Sequence, residues 1–303
     1  MSRVVVVGSV NVDRVVRLDV LPAAGETAMA KDVDSGFGGK GGNQASAAAA
    51  AGALVSLVAA VGDDDEGRAS LEDLRGRAVD TTSVVVVPGT ATGTAHVFVD
   101  DEGENFIVIE SGANAALDAE VVTRALRGLA LSGTDVLLTS GEIGDEVLAA
   151  SAQEARSVRA LHVHNAAPYR EIGPWSRSDR VLIVVNEVES MQATSSADVE
   201  QAAAMLADGR YGAVVTRGAR GALLSAGGRS WSLPAPSVPV VDSTGAGDAF
   251  CGTLAACLAT GAELVDAVRR SVDAGAEAVT RPGARSAETG TRSAGTGTRE
   301  EPR

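Results

Sequence analysis

Lysine is almost missing from this chain of 303 residues: only Lys31 and Lys40 occur, and arginine carries the remaining positive charge. The formal net charge is −14, which argues against nucleic acid or an anionic membrane as a partner, since both favour basic surfaces. A small anion stays possible, because backbone N–H groups at a helix start can hold phosphate whatever the net charge. Aromatic residues make up 3% against 45% hydrophobic residues, so the core must be built from Val, Leu and Ala. Val runs between Ala-rich stretches suit a buried parallel sheet flanked by helices. Cysteine is limited to Cys251 and Cys257. On one helix they would stand about 9 Å apart along the axis, too far for a disulfide, so free buried thiols in a reducing compartment are expected. Long apolar runs are also scarce. Residues 4–7 are too few for a signal-peptide core. The uncharged stretch 45–61 is mostly Ala and is divided by Gly52 into a helix and a strand, so no membrane span is expected. A cytosolic location follows as the expectation.

Short apolar runs recur at 4–7, 54–61, 136–138, 161–163, 181–185 and 213–215. Helix-like stretches lie between many of them, at 43–51, 65–77, 118–129, 145–157 and 198–208. This alternation predicts an α/β fold with a mainly parallel central sheet and helices on both faces. Two more helices, 245–259 and 263–280, close the domain. Residues 14–19, 27–33 and 94–109 break the pattern with alternating polar and apolar residues. Val97-Phe98-Val99, then Asp101 to Glu104, then Phe106-Ile107-Val108 read as a hairpin. A small half-exposed sheet is therefore predicted, a lid drawn from about 14–37 and 90–110. Such a sheet can pair with a second copy, and a homodimer through the lid is expected. Residues 285–303 are rich in Gly, Thr, Ser, Arg and Glu without apolar period; a disordered tail is expected behind a single domain at 1–284.

The strongest local signal is Asp242-Ser-Thr-Gly245-Ala246-Gly247-Asp248-Ala-Phe250, which follows a Pro-rich approach and opens an apolar helix. Glycines at a helix start let a ligand approach the outward-facing N–H groups, and the helix dipole favours an anion there. Asp248 falls in the first turn beside that anion. A carboxylate has no reason to bind an anion, so its plausible task is to take a proton from a nucleophile attacking it. The same residues also suit a tight turn with Asp248 as a dipole partner. A second cluster, Gly36-Phe-Gly-Gly39-Lys40-Gly-Gly-Asn43-Gln-Ala45, leads into another helix; it is not a P-loop, since no Ser or Thr follows Lys40. It suits a polar ligand or a hinge. Asn11 and Asp13 follow the first strand, where open α/β sheets bind ligands, and would offer an amide and a carboxylate to sugar hydroxyls. Asn186-Glu-Val-Glu189 and Thr216-Arg-Gly218-Ala-Arg-Gly221 follow two later strands. Acidic residues near phosphates usually act through Mg²⁺ and its waters, and the Gly-rich turn could pass under a nucleotide.

Taken in this order from about Val4 to Gly283, these segments closely resemble the PfkB family of carbohydrate kinases. Gly62-Asp-Asp, Glu104-Asn105, Gly112 to Leu117 and Asn165-Ala-Ala-Pro168 add to the resemblance. It implies a ribokinase-like fold and ATP-dependent phosphorylation of the terminal hydroxymethyl of D-ribose, with Asp248 as base and the amides of Gly245, Ala246 and Gly247 as anion hole. It implies a sugar site of Asn11, Asp13, Gly39, Lys40, Asn43 and Glu142. Asn186 and Glu189 would organise Mg²⁺ through water, and Thr216, Gly218, Gly221 and Gly247 would border ATP. Asp242 and Thr244, with carbonyls near Ala278, Arg281 and Gly283, would surround a monovalent cation, usually K⁺. Ala287 stands where relatives carry a hydroxyl near that cation, and Val272 where a polar residue often faces the base. Another small sugar (deoxyribose, fructose or a sugar acid) is the alternative substrate, and a non-catalytic sugar or nucleotide sensor the alternative of a different class.

Overall fold

The computed structural model describes residues 3–102 and 104–285. Strand β1 (Arg3–Val7) buries Val4, Val5, Val6 and Val7 completely, as a parallel strand covered on both faces requires. The chain leaves the sheet for β2 (Asn11–Arg17) and β3 (Asp32–Gly38), then returns through α1 (Lys40–Ala50) to β4 (Leu54–Val58). Four elements follow: β5 (Ala60–Gly62), α2 (Asp65–Gly76), β6 (Val79–Asp80) and β7 (Val85–Val87). Then come β8 (Gly93–Val99), β9 (Asn105–Glu110) and α3 (Ala119–Gly128). Regular alternation resumes with β10 (Val136–Ser140), α4 (Asp145–Val158), β11 (Leu161–Asn165) and β12 (Val181–Asn186). Helices α5 (Glu187–Thr194) and α6 (Val199–Ala207) lead to β13 (Gly212–Thr216). The antiparallel strands β14 (Ala222–Ala226) and β15 (Arg229–Leu233) and helices α7 (Ala246–Ala259) and α8 (Leu264–Ala278) complete the described chain.

Nine strands form one sheet in the order β15-β14-β13-β12-β11-β10-β1-β4-β6. All its pairings are parallel except those of β14 with β13 and with β15, on one edge. Alternate residues of β1 serve different layers. Val4 and Val6 pack with residues of α1, α7 and α8, whereas Val5 and Val7 pack with Val122, Leu126 and Leu148 of α3 and α4. The fold is thus the expected ribokinase-like α/β architecture. The small sheet expected from the sequence is a separate four-stranded one, β3-β2-β8-β9, with β2 and β8 parallel and the outer pairs antiparallel. Val97 faces Ile107 and Phe98 faces Phe106 across the expected hairpin.

Four details differ from what the sequence predicts. The run 54–61 is two strands: β4 belongs to the large sheet, while β5 pairs with β7 alone. An unbroken apolar run has no period to mark such a change of partner. Helix α1 begins at Lys40, three residues before the expected start, and so holds Gly41 and Gly42 inside it. Helix α5 was not expected because it has almost no apolar stripe; a capping box between Asn186 and Glu189 starts it instead. Arg285, which the expected tail included, is packed into the fold, its side chain 2% exposed. Ala287 and the rest of the tail lie outside the described residues.

Candidate active site

Gly245 precedes α7 with φ 78°, a left-handed conformation that glycine takes at little cost. Helix α7 then starts at Ala246, which places Asp248 in its first turn, only 4% exposed. A carboxylate is almost never buried so deeply without partners. Those partners come from α1. The two helices touch at Gly252, where a Cβ would stand 2.4 Å from the Gln44 carbonyl oxygen. This approach lets Asn43 Nδ2 donate to Asp248 Oδ2 at 3.0 Å and Gln44 Nε2 donate to Oδ1 at 3.0 Å. Lys40 Nζ stands 3.7 Å from Oδ1 and offsets the charge. Burial works against the Lys40 ammonium, but Asp248 and Glu142 outweigh it and hold its pKa above the ordinary value. Each Asp248 oxygen accepts one neutral amide and keeps a further lone pair. The carboxylate is thus oriented and charge-compensated by Lys40, which itself faces the groove described below.

The other expected sugar residues gather around Lys40. Glu142 accepts from the Lys40 backbone N–H at 2.9 Å and from the Ser9 hydroxyl. Asn11 is buried at the start of β2, and its Oδ1 accepts from Asn114 Nδ2 at 2.8 Å. Gly39, with φ 82°, is the single residue between β3 and α1, and a Cβ on it would meet the Asn11 nitrogen at 2.6 Å. Asp13 lies on β2, its pKa raised to about 6 by burial first and by Glu142 next, with Asp248 adding and Arg285 and Lys40 opposing. Asp13 is thus an anion held at a cost, which suits a group waiting for hydrogen-bond donors.

A groove of about 750 Å³ opens at the carboxyl ends of β12 and β13. Asn186, Thr216, Gly218 and Gly221 line it, together with Val238, Val240, Val272 and Val279. Lys40 and Gly247 also line it, so it ends beside the start of α7. Of the three expected anion-hole amides, that of Ala246 is engaged with the Ser243 carbonyl at 3.3 Å; that of Gly247 lies in the first turn, where α-helical N–H groups have no intrahelical acceptor. Thr216 Oγ1 donates to the Val185 carbonyl at 3.3 Å. Glu189 also lines the groove, and its Oε2 accepts from the Asn186 backbone N–H at 2.7 Å. Burial raises its pKa, opposed by that bond and by Lys40. Among the described residues no group of three or more His, Cys, Asp or Glu side chains is arranged to hold a metal ion.

Asp242 ties two loops together: Oδ1 accepts from Thr244 N at 2.8 Å and Oδ2 from Gly283 N at 2.8 Å. Burial acts to raise its pKa, but the Gly283 and Thr244 donors outweigh it and hold the carboxyl below its usual range. The end of α8 joins them, since the Val279 carbonyl accepts from Asp242 N at 3.2 Å. Ala278 uses its carbonyl on Arg281 N at 3.3 Å, and the Arg281 guanidinium turns to Glu277. Asp242, Thr244 and Gly283 therefore converge, and the carbonyls of Ala278 and Arg281 lie next along the chain. Several partners were not assigned a role from the sequence. Gln44 stood inside the quoted glycine cluster without one, and it also donates to Asn165 Oδ1 at 3.1 Å. Ser9, Asn114 and Arg285 carried no signal of their own.

A doubly wound sheet whose strand ends border a nucleotide-sized groove, meeting a buried carboxylate on a glycine-opened helix, defines a small-molecule kinase scaffold. The family model for pfkB carbohydrate kinases matches residues 1–290. The chain belongs to the PfkB family and is a carbohydrate kinase. It is 33% identical to ribokinase of Bacillus subtilis over 89% of this chain and 90% of that protein. It is 31% identical to deoxyribokinase of Salmonella typhi over 94% of each chain. Among solved structures it superposes on Arabidopsis thaliana ribokinase complexed with ribose and ATP with a TM-score of 0.82 at 28% identity, covering 94% of this chain and 95% of that one.

Proposed function

We propose that this kinase transfers the γ-phosphoryl group of ATP to the terminal hydroxymethyl of D-ribose, giving ribose 5-phosphate. The observation that carries the reading is Asp248, held by Asn43 and Gln44 beside Lys40 in the first turn of α7. Its carboxylate accepts the proton as the sugar oxygen attacks the γ-phosphorus, the bond to the bridging oxygen breaks, and ADP leaves. Positioning and charge stabilisation supply most of the catalysis in such transfers. Lys40 and the amides at the start of α7, chiefly that of Gly247, cushion the moving negative charge. Asn11, Asp13, Gly39, Asn43 and Glu142 present two amides, two carboxylates and a backbone turn to the sugar hydroxyls. ATP occupies the groove beside Asn186, Thr216, Gly218 and Gly221.

A divalent ion on the nucleotide, Mg²⁺ by its preference for oxygen and water, would be approached through water by Asn186 and Glu189. The Asp242 carboxylate with carbonyls near Ala278, Arg281 and Gly283 is an all-oxygen donor set that fits a monovalent cation such as K⁺, which would add positive charge behind the start of α7. Exposed Phe106, Ile107, Val108 and Ile109 on the edge strand β9 support a homodimer through the lid. Both cysteines are free and buried, which supports a cytosolic location.

The similarity to a deoxyribokinase favours 2-deoxy-D-ribose as a second substrate reading. An ATP-coupled assay over D-ribose, 2-deoxy-D-ribose and D-fructose, with and without K⁺, separates them. Asp248→Asn is expected to lower turnover on the order of 100-fold or more while ATP still binds. Unchanged turnover in that variant would remove Asp248 as the base.

A further inference from the structure

Arg285 reaches back from the end of the described chain and buries its guanidinium between three other parts of the fold. A buried charge is tolerated only when its donors are matched. Here Nε donates to Asn43 Oδ1 at 2.8 Å, Nη1 to Asp73 Oδ2 at 3.0 Å and Nη2 to the Gly38 carbonyl at 2.6 Å. Asp73 on α2 is the counter-ion. The other two contacts fall on the sugar site: Gly38 ends the lid strand β3, and Asn43 holds Asp248.

An arginine can only donate, and an ionised carboxylate can only accept. Asn43 stands between one of each, so its amide has a single orientation, Oδ1 toward Arg285 and Nδ2 toward Asp248. Room for the guanidinium comes from Gly42, where a Cβ would stand 2.0 Å from Nη2. That glycine lies within α1 at negative φ, so its backbone needs no special freedom. Glycine there costs the helix about 1 kcal/mol against alanine, and the nested guanidinium is what the open space accommodates. We propose that Arg285, seated over Gly42, is a positioning residue for the sugar. It fixes the Asn43 amide and the root of the lid strand in the geometry that the sugar hydroxyls require. The inference rests on the sugar-site reading given above.

Steady-state kinetics on the full chain test it. Arg285→Gln is expected to raise the sugar KM about tenfold, the scale of one charge-assisted hydrogen bond. The ATP KM should not move, and kcat should stay within about threefold because Gln44 still holds Asp248. Gly42→Ala, which expels the guanidinium without removing it, should give the same rise. The double variant should be no worse than either single one, and Arg285→Lys should recover part of the loss. A residue that merely staples the fold would lower Tm and leave both Michaelis constants unchanged, which would overturn the proposal. An unchanged sugar KM in Gly42→Ala would do the same, and it serves if Arg285→Gln does not fold. A wild-type enzyme that phosphorylates no sugar would overturn the site reading and this inference together; an active wild type with unaffected variants would overturn this inference alone.

Discussion

Replacing Gly252 by alanine adds one methyl group where α1 and α7 touch. The new carbon would stand 2.4 Å from the Gln44 carbonyl oxygen, 2.6 Å from Ala47 Cβ and 2.8 Å from Ala48 N. Two of these atoms are helix backbone, so neither can rotate away, and α1 must retreat by about 1 Å to restore ordinary contact. Overpacking of this kind costs about 1–3 kcal/mol, or roughly 2–10 °C in Tm for a chain of this size. The same retreat stretches the 3.0 Å bonds from Asn43 and Gln44 to Asp248 beyond hydrogen-bond range. A displacement of about 1 Å at reacting groups can cost on the order of 100-fold in rate. The ATP-coupled sugar assay and a thermal melt, run on the same preparation, measure both effects. The expected outcome is a fall in kcat larger than the loss of stability alone explains. A variant with wild-type Tm and kcat would refute the claim that contact between these helices sets the carboxylate.

Asp13 links pH to both stability and binding. Its pKa is raised from 3.8 to about 6, so its contribution to folding is fully present below pH 4 and is lost as pH rises through 6, of order 3 kcal/mol in all. Asp13→Asn should therefore raise the Tm of the unliganded enzyme at pH 7 while abolishing sugar affinity, and wild-type sugar affinity should fall as pH drops below 6; a variant no more stable than wild type at pH 7 would contradict this. For the lid, Ile107→Lys with Ile109→Lys should shift the enzyme from dimer to monomer in sedimentation, and a wild type that already sediments as a monomer would dismiss that assembly.

Much of the fold and part of the site were legible because they are local. Val4 to Val7 announce a strand covered on both faces, and Gly245, Gly247 and Asp248 lie within one helical turn. Lys40 and Asn43 were conspicuous in the same way, the one by rarity and the other at the end of a glycine run. Gln44 was not, because its bond to Asp248 spans 204 residues and depends on how closely two helices pack. Arg285 was still less visible, since it meets Asn43 across 242 residues from a segment whose composition suggests no packing at all. The break at Ala59 escaped for a different reason: a uniformly apolar run is equally good for either sheet, so only hydrogen-bond partners decide it.

Gly39 alone joins the last residue of β3 to the first residue of α1. Along this one of the sheet's connections, any swing relative to α1 passes through a single backbone step, and α1 carries Lys40, Asn43 and Gln44 together. Were the small sheet to close over the sugar, its movement would be coupled through α1 to the Asp248 carboxylate that Lys40, Asn43 and Gln44 contact. With Asp248 as the proposed base, an empty cleft and a misaligned acid would then be one mechanical state, and ATP bound without sugar would meet a disengaged catalyst and be spared from waste.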